Sequence, residues 1–367
     1  MGLTAGIVGM PNIGKSMLFN ALTKSAALSG NFPFKSADPN IGVVEVPDDR
    51  IDALVKMYNP KKTIYTSFEF IDLAGLVKGS SKGEGLGNQF LSHIRNVDAI
   101  CHVVRCFEDD NIIHVDGSVN PLRDIETIGL ELIFADLESI EKRLPKIKKR
   151  AGVKSDKEAV EEFELLTKLK ETLEEGMPIR SMVLLEDEAK LIKNFSFITA
   201  KPMLYVCNIS EDDLADYSDN THVNAVIELA KKEKTPVSVV CAKIEQELAS
   251  LSKTERLEIL EELGVSTPGI NDIIAKSYDM LGLATFLTAG EKEVRAWTFR
   301  KGAKAPECAG VIHSDIEKGF IKAETIYITD LLAAGSEEKA KQLNKFRLEG
   351  KEYIVKDGDV LHFRFNI

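Results

Sequence analysis

Long apolar runs are missing from this chain. None approaches the roughly 20 residues that a bilayer-spanning helix needs, so no transmembrane helix is expected. Cysteine is sparse: Cys101, Cys106, Cys207, Cys241 and Cys308 are scattered, odd in number and mostly set inside apolar stretches. That pattern argues against a disulfide framework or a zinc knuckle and fits reduced core thiols of a cytoplasmic protein. The opening "MGLTAGIVGM" has neither a basic stretch nor a small-residue cleavage site, so no secretory signal is expected. Basic charge is in deficit, with 47 Lys and Arg against 58 Asp and Glu and a formal net charge of −11. Such a balance argues against coating DNA, and no sequence-specific DNA contact is expected; RNA contact through a local basic patch stays open. Internal repeats, low-complexity linkers, a Ser-His-Asp set, HExxH and clustered Cys/His are absent too. What remains is 367 residues, 44% hydrophobic and 29% charged, enough for two or three globular domains.

The strongest positive signal lies near the start. "AGIVGMPNIGKSMLFNALT" reads as a short buried strand, a glycine loop and an amphipathic helix, with Gly9-x-x-x-x-Gly14-Lys15-Ser16 matching the P-loop pattern. Glycines let successive backbone N–H groups turn toward phosphates at the positive end of a helix dipole. The expected nucleotide-binding residues here are Asn12, Ile13, Gly14, Lys15, Ser16 and Met17. Lys15 would reach the β- and γ-phosphates, and the Ser16 hydroxyl would ligate Mg²⁺. Downstream, strand Phe68–Ile71 ends in Asp72-x-x-Gly75; the Asp would hold Mg²⁺ and the Gly amide would sense the γ-phosphate. Between the two motifs, Ser36 in "NFPFKSADPN" could complete the metal shell. Leu76 stands where Ras-like enzymes place a water-positioning Gln, and a leucine cannot orient water. Hydrolysis must then be slow, or another group must take the role.

Further apolar strands, "AICHVVRC", "PMLYVC" and "VSVVC", carry polar residues at their C-terminal ends. This is the doubly wound α/β pattern with its site at that edge. At the end of "PMLYVC" a guanine-reading protein would have Asn-Lys-x-Asp; here stand Asn208, Ile209, Ser210 and Glu211. Loss of guanine reading follows from that more firmly than gain of adenine reading. Residues 125–198 break the strand–helix alternation. Ile133, Leu137, Ile140, Leu144 and Ile147 form a stripe that Pro145 should kink, and Phe163, Leu166, Leu169 and Leu173 return on a second helix beyond the tip "AGVKSDK". The first arm carries Lys142, Arg143, Lys146, Lys148, Lys149 and Arg150, which reads equally as a solvated face or as a contact for a macromolecular partner. After residue 280, "EVRAWTF" and "YIVKDGDVLHFRF" read as period-two strands, the latter with an Asp357-Gly358 turn, fitting a small β-grasp module.

Taken together, "GIVGMPNIGKS", "NFPF" with "PNIGVV", "FIDLAGLVKGSSKGEGLGNQFLSHIR", "HVVRCFEDDNIIHV", "NISE", "EKEVRAWT", "HSDIEKGFIKAE" and "YIVKDGDVLHFRFNI" resemble the Obg-like ATPases from residue 3 to the end. The resemblance implies a P-loop nucleotide domain over residues 1–280, interrupted by a helical coiled-coil insertion over 125–198, and a TGS domain over 281–367. It implies ATP rather than GTP, read by Asn208, Ile209 and Glu211, and a slow cytoplasmic ATPase switch that engages the ribosome through the arm and the TGS domain. A nucleotide-dependent binding module with GTP or dual use and incidental hydrolysis is the alternative. The family commonly has Thr where this chain has Ser36, which keeps the hydroxyl ligand and loses a methyl. The resemblance assigns the missing catalytic role to His114 in "NIIHV", with His93 as the rival. Asn12 resembles the K⁺ ligand of other P-loop switches with a hydrophobic residue at the Gln position.

Overall fold

Parallel strands covered on both faces read as unbroken apolar runs, and in the computed structural model Ala99–Arg105 and Met203–Asn208 are buried at every residue. The structure describes residues 3–28, 40–73, 86–152, 156–265 and 267–366. Ser36, Gly75, Leu76 and residues 153–155 of the helical tip lie outside the described residues.

Among the described residues twelve strands lie in two six-stranded sheets. In chain order they are β1 (Thr4–Val8), β2 (Ile41–Glu45), β3 (Thr63–Ile64), β4 (Ser67–Asp72), β5 (Ala99–Arg105), β6 (Met203–Asn208), β7 (Val237–Val240), β8 (Leu283–Thr288), β9 (Val294–Arg300), β10 (Phe320–Tyr327), β11 (Arg347–Glu349) and β12 (Asp359–Phe365). The helices used below are α1 (Lys15–Leu28), α2 (Asp49–Tyr58), α3 (Leu86–Asn96), α4 (Pro121–Ala151), α5 (Lys157–Glu174), α6 (Glu186–Ile192), α7 (Thr221–Glu233) and α8 (Ala242–Leu248). The described residues divide into two compact units, one drawn from 3–28, 40–42 and 69–273, the other from 43–68 and 274–366.

The first sheet has the order β2-β4-β1-β5-β6-β7, and β4, β1, β5, β6 and β7 run parallel to one another. Registers Ile7↔Asp72 and Arg105↔Asn208 bring the C-terminal ends of β4, β5 and β6 to one edge, where the loop after β1 also emerges. Strand order reverses around β1, the usual place for a ligand crevice in such a sheet.

The helical insertion is continuous with this unit. Asn120 caps α4 by accepting from Arg123 N–H, and Pro121 occupies the first turn, where a missing N–H costs nothing. The helix is unbroken from Pro121 to Ala151, through the position where Pro145 suggested a kink. Ile133, Ile140 and Ile147 pack on Leu165, Leu166, Leu169 and Leu173 of α5, with Leu137, Leu144 and Phe163 at the margins. That apolar seam offsets the hydrogen bond which Pro145 removes. The insertion closes on Asp136, whose fully buried carboxylate accepts from Ile198 N–H (3.1 Å), Thr199 N–H (2.8 Å) and the Thr199 hydroxyl (2.8 Å), with Arg95 at 3.2 Å.

In the second unit the sheet order is β11-β10-β12-β8-β9-β3. The β8–β9 pair is antiparallel, and β12 returns parallel to β8, the β-grasp arrangement. Helix Ala305–Ile312 covers one face through Ala305, Cys308 and Ala309, while α2 places Ile51 and Leu54 against Leu287, Val294 and Ile326. The stretch before Asp357 is not a strand of a hairpin; it makes one isolated bridge, Lys304↔Ile354. The reason is local. Asp357 accepts from Thr285 N–H (2.8 Å) and from Arg50, and Gly358, at φ 82°, donates to Thr285 O (2.8 Å), so the turn hooks onto β8.

Asp136→Ala removes the acceptor for two buried amides and the Thr199 hydroxyl, and leaves Arg95 with Ser196 O, Ala135 O and the Ser139 hydroxyl only. It should cost about 3–5 kcal/mol of stability, with faster hydrogen exchange at Ile198 and Thr199. Unchanged exchange at those two amides would show that the insertion closes without this carboxylate.

Candidate functional site

The loop from Gly9 to Ser16 leaves β1 and enters α1 with Asn12 (φ 62°) and Gly14 (φ 89°) in left-handed conformations. Gly14 has a second constraint: a Cβ there would sit 2.4 Å from Asn208 Nδ2. Ile13 is buried and anchors the loop, and the Ile13 carbonyl accepts from Asn208 Nδ2 (2.8 Å). Asn208 Oδ1 accepts from Ala242 N–H at the start of α8 (2.9 Å). One buried amide therefore joins the phosphate loop to the loop after β7. Lys15 Nζ donates to the Asp72 carboxylate and to Leu73 O (2.7 Å).

These residues open on a cleft of about 1180 Å³, lined by Asn12, Ile13, Gly14, Lys15, Ser16 and Met17 on one side and by Asn208, Ile209 and Glu211 on another. Asp72 lies at its floor with Ser16. A hydroxyl and a carboxylate beside the phosphate loop are the hard oxygen donors that suit Mg²⁺. The Ile209 amide donates to Val240 O (2.9 Å), which takes that N–H out of reach of a base. Glu211 is drawn aside: its carboxylate pairs with Lys243 Nζ at 2.5 Å, and this contact raises the lysine pKa.

The third wall is the segment 107–113, contributing Phe107, Ile112 and Ile113. It is organised by Arg105, which sequence reasoning missed. This side chain is 2% exposed and donates to three carbonyls, Phe107 O (3.1 Å), Ile112 O (2.9 Å) and Asp109 O (3.2 Å), while its guanidinium lies 4.6 Å from the Phe107 ring centre. The available signal was an arginine inside the apolar run "AICHVVRC", where only satisfied hydrogen bonds make a buried charge tolerable. Asn12 Nδ2 donates to Ile113 O (3.2 Å), tying the same segment to the phosphate loop.

His114 is the next residue, and the structure turns it away from the cleft. It is buried, with Nδ1 accepting from Asp116 N–H (3.1 Å) and Nε2 at 2.9 Å from Asp124 Oδ2. With Nδ1 an acceptor, Nε2 carries the proton and donates. His93 is exposed on α3 and does not line the cleft. Ser36 and Gly75 fall outside the described residues.

Two family profiles match the chain: one described as "50S ribosome-binding GTPase" over residues 4–135, and a YchF-GTPase C-terminal profile, described as a protein of unknown function, over residues 283–366. The chain is 60% identical to the "Ribosome-binding ATPase YchF" of Bacillus subtilis and 50% identical to that of Escherichia coli O157:H7, each across 100% of both chains. A solved structure, the Schizosaccharomyces pombe YchF GTPase, is 38% identical and superposes with a TM-score of 0.89 over 99% of this chain and 98% of that one.

Arg105→Met keeps the bulk and removes all three donors. Amides of residues 107–113 should exchange faster and nucleotide affinity should fall several-fold; protection equal to the unmodified chain would mean the segment holds its own shape.

Proposed function

The chain belongs to the YchF family of ribosome-binding ATPases, and we propose that it works as a slow ATP-driven switch on the cytoplasmic ribosome. The observation that carries the choice of base is Glu211 held by Lys243 at 2.5 Å. In guanine readers a carboxylate at this point accepts from guanine N1–H and the 2-amino group. Adenine offers an acceptor at N1 and nothing at C2, so a fixed carboxylate there would be left unpaired at a cost of roughly 1–3 kcal/mol. The longer Glu211 arm and its lysine partner take the charge away from that position, and Ile209 replaces the lysine whose stem lies along guanine.

Ser16 and Asp72 would hold Mg²⁺, with Ser36 completing its shell, and the metal supplies charge neutralisation between the phosphates. Gly75 would report the γ-phosphate. Asn12, with its Nδ2 on Ile113 O, is proposed to offer Oδ1 to a K⁺ ion beside the phosphates. His114 is proposed as the group that orients water in place of the side chain that Leu76 cannot provide. For that its bond to Asp124 must open, so turnover waits on movement of the 111–115 segment. A ribosomal contact supplies the natural trigger. The helical arm over 125–198 presents Lys146, Lys148 and Lys149, all exposed and without an ion-pair partner among the described residues, while Lys142, Arg143 and Arg150 pair with Glu138, Glu162 and Asp156. These three lysines and the TGS-type module at 281–367 are the surfaces proposed to meet the ribosome.

Titration should find ATP bound more tightly than GTP, and Glu211→Asp should not restore GTP binding fully because Ile209 remains; micromolar GTP affinity beside much weaker ATP affinity would refute the reading. His114→Ala should lower ATP turnover at least tenfold, leaving ATP affinity and salt-sensitive, ATP-dependent co-sedimentation with ribosomes intact. Wild-type turnover in that variant would remove His114 from the mechanism, and absence of co-sedimentation at low salt would remove the ribosome.

A further inference from the structure

A second cavity, of about 480 Å³, lies within the first unit on the face of the sheet formed by β5 and β6, under α4 and α7. Its volume is within the range of small-molecule sites, roughly 300–1,000 Å³. The apolar wall is built by Ile125 and Leu132 of α4 and Met203 of β6. One buried polar atom on it has no hydrogen-bond partner. His102, 1% exposed in mid-strand, lines the cavity, and its Nε2 has no hydrogen-bond partner. Arg180 lines the same cavity, makes no ion pair among the described residues and spends one donor on the Tyr205 hydroxyl, leaving guanidinium donors to spare. A buried polar atom left unmatched costs free energy, so such an atom facing a cavity marks a place for a ligand atom. Burial, reinforced by the nearby Arg180 charge, pushes His102 down to about 3, so the ring is neutral at any working pH and keeps one N–H to donate. By contrast Tyr205, beside His102, is already satisfied through its hydroxyl, which donates to Glu233 (2.7 Å).

We propose that this cavity binds a small amphipathic monocarboxylate, its apolar body against Ile125, Leu132 and Met203 and its carboxylate on Arg180 and His102 Nε2–H. Arginine matches a carboxylate with two parallel donors, which a neutral head group cannot exploit. Glu126, Glu175 and Glu233 at the rim are exposed and screened by solvent, yet they oppose a second negative charge, which selects against dicarboxylates. The site is separate from the nucleotide cleft and does not depend on which base that cleft reads. Its floor strands nevertheless continue three residues further to Arg105 and Asn208.

The fold offers a clean way to block it. Gly129 lies on α4 at the cavity, and a Cβ there meets nothing within 4 Å. Leucine is a better helix former than glycine and would project into the space. Sodium octanoate, titrated calorimetrically into the full chain, should bind saturably with one site. Affinity should fall at least tenfold in Arg180→Gln and vanish in Gly129→Leu, with ATP binding unchanged in both as the check on folding. Octanol, with the same tail and no charge, should bind at least tenfold more weakly than octanoate. Equal binding of octanol would overturn the carboxylate assignment. Absence of saturable octanoate binding, or undiminished binding in Gly129→Leu, would overturn the site.

Discussion

The buried amide of Asn208 is the joint on which the nucleotide cleft depends. It sits at the end of β6, where the sheet runs out and backbone groups lose their ladder partners, and it uses both ends of its side chain. Nδ2 holds Ile13 O and Oδ1 holds Ala242 N–H. The loop after β1 and the loop after β7 are thereby fixed to one strand end. An aspartate of the same shape could accept from Ala242 but would set an oxygen against the Ile13 carbonyl. The same contact dictates Gly14, since any Cβ there would strike Nδ2. Asn208, at the position of the Asn in the guanine-reading Asn-Lys-x-Asp, is thus a brace between two loops.

Around that joint, charged groups end β4 and β5 and follow β6 and β7, and each has a different task. Asp72 meets Lys15 at the phosphate end. Arg105 is buried and spends its donors on three carbonyls, converting the loop after β5 into a rigid wall. Glu211 and Lys243 are exposed and neutralise each other at the base end. Burial separates these roles. A fully buried guanidinium must satisfy its donors locally, so it shapes backbone, whereas an exposed pair is screened and adjustable, and its value lies in where it leaves the carboxylate.

The 107–115 segment joins this wall to His114. Arg105 and Asn12 restrain its first part through Ile112 O and Ile113 O, and Asp124 restrains His114 itself. Asp124 belongs to the first turn of α4, the helix that extends into the arm. The proposed water-orienting group and the proposed ribosome-facing surface therefore share one helix. A shift of α4 acts directly on the Asp124 bond, giving a physical route from partner contact to turnover.

Short-range pattern determined a good deal. The glycine spacing and Lys15-Ser16 require a loop that presents N–H groups, and unbroken apolar runs require parallel strands covered on both faces. Ile and Leu at intervals of three and four along 133–173 require two paired helices, and the motif from Asn208 to Glu211 departs from the guanine-reading Asn-Lys-x-Asp. Each depends on residues close in sequence. What only tertiary structure decided depends on partners far apart. Asn208 and Ile13 are 195 positions apart, Asp136 and Thr199 are 63 apart, and neither pairing leaves a local trace. Nothing in the residues around His114 names its partner, and the start of α4 turns it inward onto Asp124. Pro145 removes one hydrogen bond by its own chemistry, and the packed seam with α5 carries the helix through that position. The alternation around Asp357-Gly358 suggests a hairpin, and the hydrogen bonds to Thr285 spend that turn on β8 instead. Local chemistry sets which conformations each segment can adopt; long-range hydrogen bonds and packing select among them, because only they can satisfy a buried polar group.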